Sequence, residues 1–338
     1  MEYIGMDVHN RYCQVAILDD ETDSTDMTEC QLPAERDELE KFARDHEGAT
    51  VAFEATRNYW FVYDCLNQYL DVTVANPRQT RLISDQKVKS DRLDAKRLAV
   101  LCRADIVAES YVPPDEFRDT RKLVRRRKSL VDDRTAAKNR VRAALADRGI
   151  TYDGNLFGAA GREFLAVEEL PLSSVDHRII EADLAVIEEL DKQVTGLQNA
   201  IDEIAATWDE TQLVMTIPGI GPCLSVPIVA EVGEIDRFDN KNQVVSYAGL
   251  DPRVRQSGEK DRTGAISKEG PPVLRWALGQ GALNVVKYDP YLGNFYGRLK
   301  DRKNNQKALA ATARKLLVAV YAMLTKKEEY NPPGATPS

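Results

Sequence analysis

The first 112 residues alternate short apolar runs with helix-forming stretches, and that order restricts the fold more than any other feature of the chain. Tyr3–Asp7 and Tyr12–Leu18 read as strands joined by a short turn, and Thr28–Leu32 as a third. Pro33–His46 reads as an amphipathic helix with Leu39 and Phe42 inward. A buried strand at Thr50–Glu54 follows, then a helix at Asn58–Tyr69, a strand at Val72–Ala75, and helices at Arg78–Ser84 and Asp91–Arg103. Strands alternating with helices in this way predict an α/β sheet with covering helices. Sheets of this kind carry active sites where their strands end.

Acidic residues stand at those places. Asp7 ends the first apolar run and Glu54 ends that at 50–54, while Asp91 and Asp94 lie three apart on one face of a helix. Carboxylates on two strand ends and one helix face form a cage for hard divalent cations, Mg²⁺ or Mn²⁺, which take oxygen ligands and keep positions open for phosphate. Two such ions roughly 4 Å apart can clamp the attacking and leaving oxygens of a phosphodiester. The plainer reading stands beside this one. The chain has 54 acidic residues, a lone Asp after a strand serves as a turn residue, and an i,i+3 Asp pair serves as a solvated helix face. His9 either lines the same site or is a polar strand-end residue.

Composition narrows the classes. The length suits two or three domains, and 43% of residues are hydrophobic and 30% charged. No apolar stretch approaches the ~20 residues of a membrane span, and the N-terminus enters a strand without a signal-peptide pattern. A cytoplasmic protein with no membrane partner is the expectation. Five scattered cysteines without a CxxC pair fit a reducing compartment and argue against structural zinc. Three histidines exclude a His-rich metal site.

The net charge is −8 but strongly segregated. Residues 1–86 carry −11, residues 87–150 carry +8, residues 151–240 carry −14 and residues 241–338 carry +9. Such blocks predict two basic surfaces on an acidic body, able to meet phosphates despite the overall sign. Residues 118–148 read as a long basic helix, with Arg125, Arg126, Arg127, Lys138 and Arg142 as candidate phosphate contacts; a solvated charged face is the alternative. Ile187, Leu190, Val194, Leu197, Ile201 and Ile204 follow a 3-4-3-4-3 spacing, a coiled-coil seam. It joins either two subunits or this helix to the basic one.

Ile217-Pro-Gly-Ile-Gly-Pro222 resembles a helix–hairpin–helix turn, in which Gly219 and Gly221 present backbone N–H groups to a phosphate. Residues 249–275 are glycine-rich, polar and basic, with helices on both sides. Arg253, Arg255, Lys260 and Lys268 are further candidate nucleic-acid contacts. Ser257 lies between Arg255 and Lys260 and before Gly258. A serine among cations can attack phosphorus while the cations stabilise the developing charge. Ser267 beside Lys268 is the rival, and a loop serine in a phosphate-binding nest is the non-catalytic reading. A serine ester conserves the phosphodiester bond free energy, so strands can be cut and rejoined without ATP; the chain has no GxxxxGK[ST] loop.

These stretches together resemble the DEDD transposases of bacterial and archaeal insertion sequences, family one-ten, which include the Piv-type DNA invertases. The matching segments are Gly5–His9, Phe53–Thr56, Lys89–Ala99, Ile217–Gly221, Tyr247–Pro252 and Ser257–Arg275, spread over nearly the whole chain in family order. The resemblance implies a RuvC-like, RNase-H-type domain over residues 1–112 with Asp7, Glu54, Asp91 and Asp94 as metal-binding tetrad. The basic helix and coiled-coil seam read above fill 113–208, and the resemblance implies a mainly α transposase domain over 209–328 with an essential serine, placed at Ser257. A disordered tail is expected over 329–338. Also implied are Mg²⁺ (or Mn²⁺), DNA as substrate, and a homodimer or homotetramer. Some members use an RNA from the element's flank as guide, which nothing in this sequence itself displays. The expected protein is a prokaryotic, nucleoid-associated transposase that excises and inserts its element. The alternatives are a Holliday-junction-type nuclease using the tetrad and water, and a non-catalytic nucleic-acid scaffold.

Overall fold

A computed structural model of the chain describes residues 1–21, 26–55, 59–77, 80, 90–166, 170–257 and 260–333, with the backbone alone for 253–257 and 260–265. The chain divides into two compact units, Met1–Val112 and Pro113–Ser338.

The first unit is a mixed α/β layer structure. Strands β1 (Glu2–Val8), β2 (Tyr12–Asp19), β3 (Thr28–Pro33), β4 (Thr50–Glu54) and β5 (Asp71–Ala75) form one sheet in the order β3-β2-β1-β4-β5. The β1–β2 and β2–β3 pairs are antiparallel, and β1–β4 and β4–β5 are parallel. Asp7 therefore lies inside β1, one residue before its end, and not beyond it. The helices are α1 (Arg36–Asp45), α2 (Tyr59–Leu66) and α3 (Asp91–Arg103). The helix expected at Arg78–Ser84 falls almost wholly outside the described residues.

Alternation along the strands splits the sheet into two unlike faces. Ile4, Met6, Val8, Val15, Val51, Phe53 and Val74 pack on Leu39 and Phe42 of α1 and on Val62 and Leu66 of α2. The opposite face is built of small residues: Gly5 stands level with Ala16 on β2 and with Ala52 on β4. Ala95 and Ala99 of α3 cluster with Ala16, and Leu98 and Cys102 with Ala52 and Ala75. A Cβ on Gly5 would stand 2.0 Å from the Ala95 carbonyl oxygen and 2.4 Å from the Ala99 nitrogen. The helix that carries Asp91 and Asp94 thus approaches the sheet at a distance only glycine permits. Gly5→Val should cost about 3 kcal/mol, the upper range for overpacking, because the clash is with backbone that cannot rotate away. Urea denaturation measures it.

The second unit is largely helical. Its elements are α4 (Asp115–Ala146), α5 (Ala159–Leu165), α6 (Ser174–Thr207), α7 (Asp209–Met215), α8 (Pro222–Val232), a 3₁₀ turn at Ile235–Arg237, and α9 (Lys241–Tyr247). Strands β6 (Pro252–Ser257) and β7 (Lys260–Ile266) follow, then α10 (Pro272–Tyr288), α11 (Pro290–Lys300) and α12 (Asn305–Lys326). Their main core joins Ile228, Val244, Leu274, Leu278, Leu316 and Val320.

The coiled-coil seam closes within the chain. Ile180 and Ile187 of α6 pack on Ala137, Val141 and Leu145 of α4, while Leu190 and Leu197 are half-buried. Arg134 pairs with Asp191, Arg140 with Asp183 and Arg148 with Asp176, so the two helices run antiparallel. Three cations of the basic stretch, Arg134, Arg140 and Arg148, are thus paired with acidic residues of α6. The partly exposed Arg134–Asp191 pair contributes at most about 1 kcal/mol, while Asp183 is buried and depends on Arg140 for its partner.

Two further expectations change. Residues 252–266, read as a loop between helices, form an antiparallel hairpin with Ser257 opposite Lys260. Period-2 alternation is too weak here to signal strands. The chain after 328 is expected to be disordered, yet Tyr330 is held: its N–H donates to Thr216 Oγ1 at 3.0 Å and its hydroxyl to Asp289 at 2.5 Å. In addition, α12 is long and apolar enough to cross a membrane by composition. Its apolar side, with Ala313, Leu316, Leu317 and Val320, is buried in the core of this unit.

Candidate functional site

Asp7 and Glu54 lie on the small-residue face. The parallel register pairs Gly5 with Ala52 and Met6 with Phe53, so Asp7 and Glu54 come next, side by side on adjacent strands. The first turn of α3 brings Asp91 and Asp94 to the same side. Ser90 caps that helix by accepting from the Leu93 N–H at 3.3 Å. The helix N-terminus carries partial positive charge, which favours carboxylates there.

Three side chains converge most closely. One ligand atom each from Asp7, His9 and Asp91 lies within 4.8 Å of the others. His9 Nε2 is 3.2 Å from Asp7 Oδ2 and 3.1 Å from Asp91 Oδ2. The Tyr12 hydroxyl donates to Asp91 Oδ2 at 3.2 Å, and its ring lies against His9 at 4.9 Å between centroids. Asp94 accepts from Arg97 at 3.0 Å. Neither Asp94 nor Glu54 belongs to the tight group, although Asp94 is near enough to act on Asp7 electrostatically. Burial holds the Asp7 carboxyl above its ordinary range; His9 partly offsets this, and the negative charges of Asp91 and Asp94 add to it. A divalent cation fits this donor set. It would neutralise the mutual repulsion and take up His9 Nε2, an atom occluded from solvent that lies beside both carboxylates.

In the second unit, Ser257 is the last residue of β6, Arg253 and Arg255 lie on the same strand, and Lys260 opens β7. The side chains of these four residues lie outside the described part of the structure. The hairpin's base is firmly seated. Ser267 N–H donates to Asp251 O at 2.7 Å, and Lys268, exposed and left-handed at φ 57°, donates to Gly249 O at 3.1 Å. Gly270 has φ 146°, and a Cβ there would meet the Tyr247 carbonyl oxygen at 2.0 Å. Arg275 reaches the Gly270 and Ala248 carbonyls at 2.6 and 3.3 Å. Gly219, at φ 90°, turns the chain between α7 and α8, and Gly221 is the N-cap of α8.

The cations expected to meet phosphate divide into two sets. Arg125 makes a bidentate pair with the fully buried Glu231 at 2.7 and 2.8 Å. Arg121 donates to the carbonyls of Ala230 and Glu231, Tyr247 to Glu231 O, and Arg237 to Val232 O. These groups satisfy the carbonyls that the end of α8 leaves open. Arg125 is therefore a structural cation, a role that charge counting along one helix does not reveal. Arg126 is exposed on α4 and Arg127 half-buried. Lys138 and Arg142 stack over Phe157 at 5.2 and 5.0 Å. Burial, followed by the charge of Arg134, lowers the Lys138 pKa, and Arg142 and Arg162 add to the effect. The Phe157 platform is not an expectation from sequence, because it comes from a loop outside the helical pattern.

Comparison with known families now bears on this arrangement. The DEDD transposase model of the IS110 type matches residues 4–148, and a model described as transposase IS116/IS110/IS902 family matches residues 211–297. The transposase for insertion sequence element IS1111A of Coxiella burnetii is 28% identical over 74% of this chain and 72% of its own length. A probable family 20 transposase of Pseudomonas aeruginosa is 28% identical over 97% of the chain and 98% of its own. The pilin gene-inverting protein of Moraxella bovis is 30% identical over 43% of the chain and 45% of its own. The class is that of DNA-cleaving and rejoining enzymes. Within it, the chain belongs to the IS110-type DEDD transposase family.

Proposed function

We propose that the protein moves an insertion element by a metal-assisted, serine-dependent recombination, with a RuvC-like first unit and a transposase second unit. The observation that carries this reading is the convergence of Asp7, His9 and Asp91 beside Glu54 and Asp94, in a chain of this family. A sheet of order β3-β2-β1-β4-β5 bearing carboxylates on its central strands supports the RNase-H-type assignment. A divalent cation at the cluster, Mg²⁺ or Mn²⁺, supplies Lewis-acid polarisation of a phosphodiester oxygen.

Ser257 Oγ gives up its proton and bonds to phosphorus, and the sugar oxygen leaves and takes up a proton. The bond free energy is kept in the serine ester. A free sugar hydroxyl of the joining strand then attacks that ester and restores the serine. Arg253, Arg255 and Lys260 stand near Ser257 along the hairpin and suit charge stabilisation at the phosphorus. Cleavage of DNA carrying the element's ends tests the reading: it requires added Mg²⁺ or Mn²⁺, and strand joining is lost in Ser257→Ala. Cation-independent cleavage would sink it. Assembly as a dimer or tetramer, and guidance by an RNA from the element's flank, belong to the same proposal.

Lys138 and Arg142 are the proposed nucleic-acid contacts of α4. Phe157 holds them together, and beside Lys138 the cations Arg134, Arg142 and Arg162 outnumber the one anion acting on it, Asp191, so a further anion there is favoured. Replacing both with glutamine should reduce the slope of log affinity against log salt by about 2, roughly one for each phosphate left without its cation. Arg140→Gln, which removes the partner of Asp183, should leave the slope nearly unchanged.

A further inference from the structure

We infer that His9 is a ligand of the cation at the acidic cluster, giving its Nε2 beside one oxygen each of Asp7 and Asp91, and that it selects Mn²⁺ over Mg²⁺. The inference rests on the cation reading proposed above and adds a nitrogen to what a carboxylate tetrad would provide.

The geometry brings the three donor atoms together. Nε2 lies 3.2 and 3.1 Å from two carboxylate oxygens, within ion-pair range of both. The nitrogen atom itself is closed off from solvent. One atom each of His9, Asp7 and Asp91 lies within 4.8 Å of the others, a spacing that a single cation can occupy.

The position is fixed by its surroundings. His9 N–H donates to Tyr12 O at 2.9 Å across the β1–β2 turn. Tyr12 packs against the imidazole and binds Asp91 with its hydroxyl, so one side chain orients two members of the group. Tyr12 is thereby a positioning residue.

Cation choice follows from donor type. Mg²⁺ demands near-octahedral oxygen ligation and gives up its waters reluctantly. Imidazole suits transition metals, and carboxylate suits Mn²⁺ as well as Mg²⁺. One nitrogen with two carboxylate oxygens therefore favours Mn²⁺.

The test is Mn²⁺ binding to the purified full chain without DNA, with Mg²⁺ measured by competition. Wild type, His9→Ala, His9→Gln and Asp7→Asn are compared, and thermal melts confirm that each folds. Pulsed electron paramagnetic resonance reads nitrogen bound to Mn²⁺. The expected result is a coordinated-nitrogen signal in wild type that both His9 variants lose. Their Mn²⁺ affinity should fall about tenfold or more, and their Mg²⁺ affinity less than about threefold. A site lost in Asp7→Asn but showing no nitrogen signal in wild type would overturn the role of His9 and leave the cation reading standing. Equal or tighter Mn²⁺ binding in His9→Ala would do the same, marking His9 as a competing counter-ion. No Asp7-dependent binding of either ion would overturn both.

Discussion

Asp7→Asn should reduce DNA cleavage by more than about a hundredfold, beyond the loss expected when a mere supporting partner of a metal ligand is removed. The substitution keeps the shape of the side chain and removes its charge. Stability should move the other way. Burial and the nearby carboxylates disfavour the charged form of Asp7, so the metal-free variant should melt at the same temperature as wild type or higher. Added Mn²⁺ should then raise the melting temperature of wild type, because a ligand that binds only the folded state stabilises it by mass action. The variant should not respond. Cleavage assays and melts with and without the ion read both effects. Loss of activity together with loss of fold would make Asp7 a structural residue.

Arg125→Ala should destabilise the second unit by about 3 kcal/mol, the lower end of the range for breaking a buried ion pair. The lower end applies because the Arg125 side chain is 45% exposed while that of Glu231 is fully buried. Without the guanidinium, Glu231 is a buried charge lacking its bidentate partner. A unit of this size should lose roughly 6–12 °C in melting temperature. Arg126→Gln, one residue along on the exposed side, should change stability little. The same two variants separate phosphate contact from packing. Weaker DNA binding by Arg125→Ala at unchanged stability would return that residue to the nucleic-acid surface and contradict the structural assignment.

The sheet of the first unit is legible in the sequence because its strands alternate and its helices follow the 3.6-residue period. Asp7, Glu54, Asp91 and Asp94 can be named because they stand at the ends of those elements. What stays hidden depends on contacts between distant segments. The fit of Gly5 beneath Ala95 and Ala99 joins residues some ninety positions apart, and no local pattern reports it. The pairing of Arg125 with Glu231 likewise ties a half-exposed cation to a buried carboxylate. Charge blocks are visible in the sequence, but their meaning depends on which helix lies opposite. Two basic surfaces are expected; three cations of the first, Arg134, Arg140 and Arg148, pair with the acidic helix α6. His9 is visible as a neighbour of Asp7, while its convergence with Asp91 requires the docking of α3.

Trapping the protein–DNA adduct tests the central claim most directly. Labelled DNA spanning the element's ends is mixed with protein, Mg²⁺ or Mn²⁺ and RNA transcribed from the element's flank, then separated under denaturing conditions. A serine recombination predicts labelled DNA bound to wild-type protein and to Ser267→Ala, and none bound to Ser257→Ala. Nicked DNA without any adduct, abolished by Asp7→Asn and unaffected by Ser257→Ala, would contradict it and make the protein a nuclease that uses water.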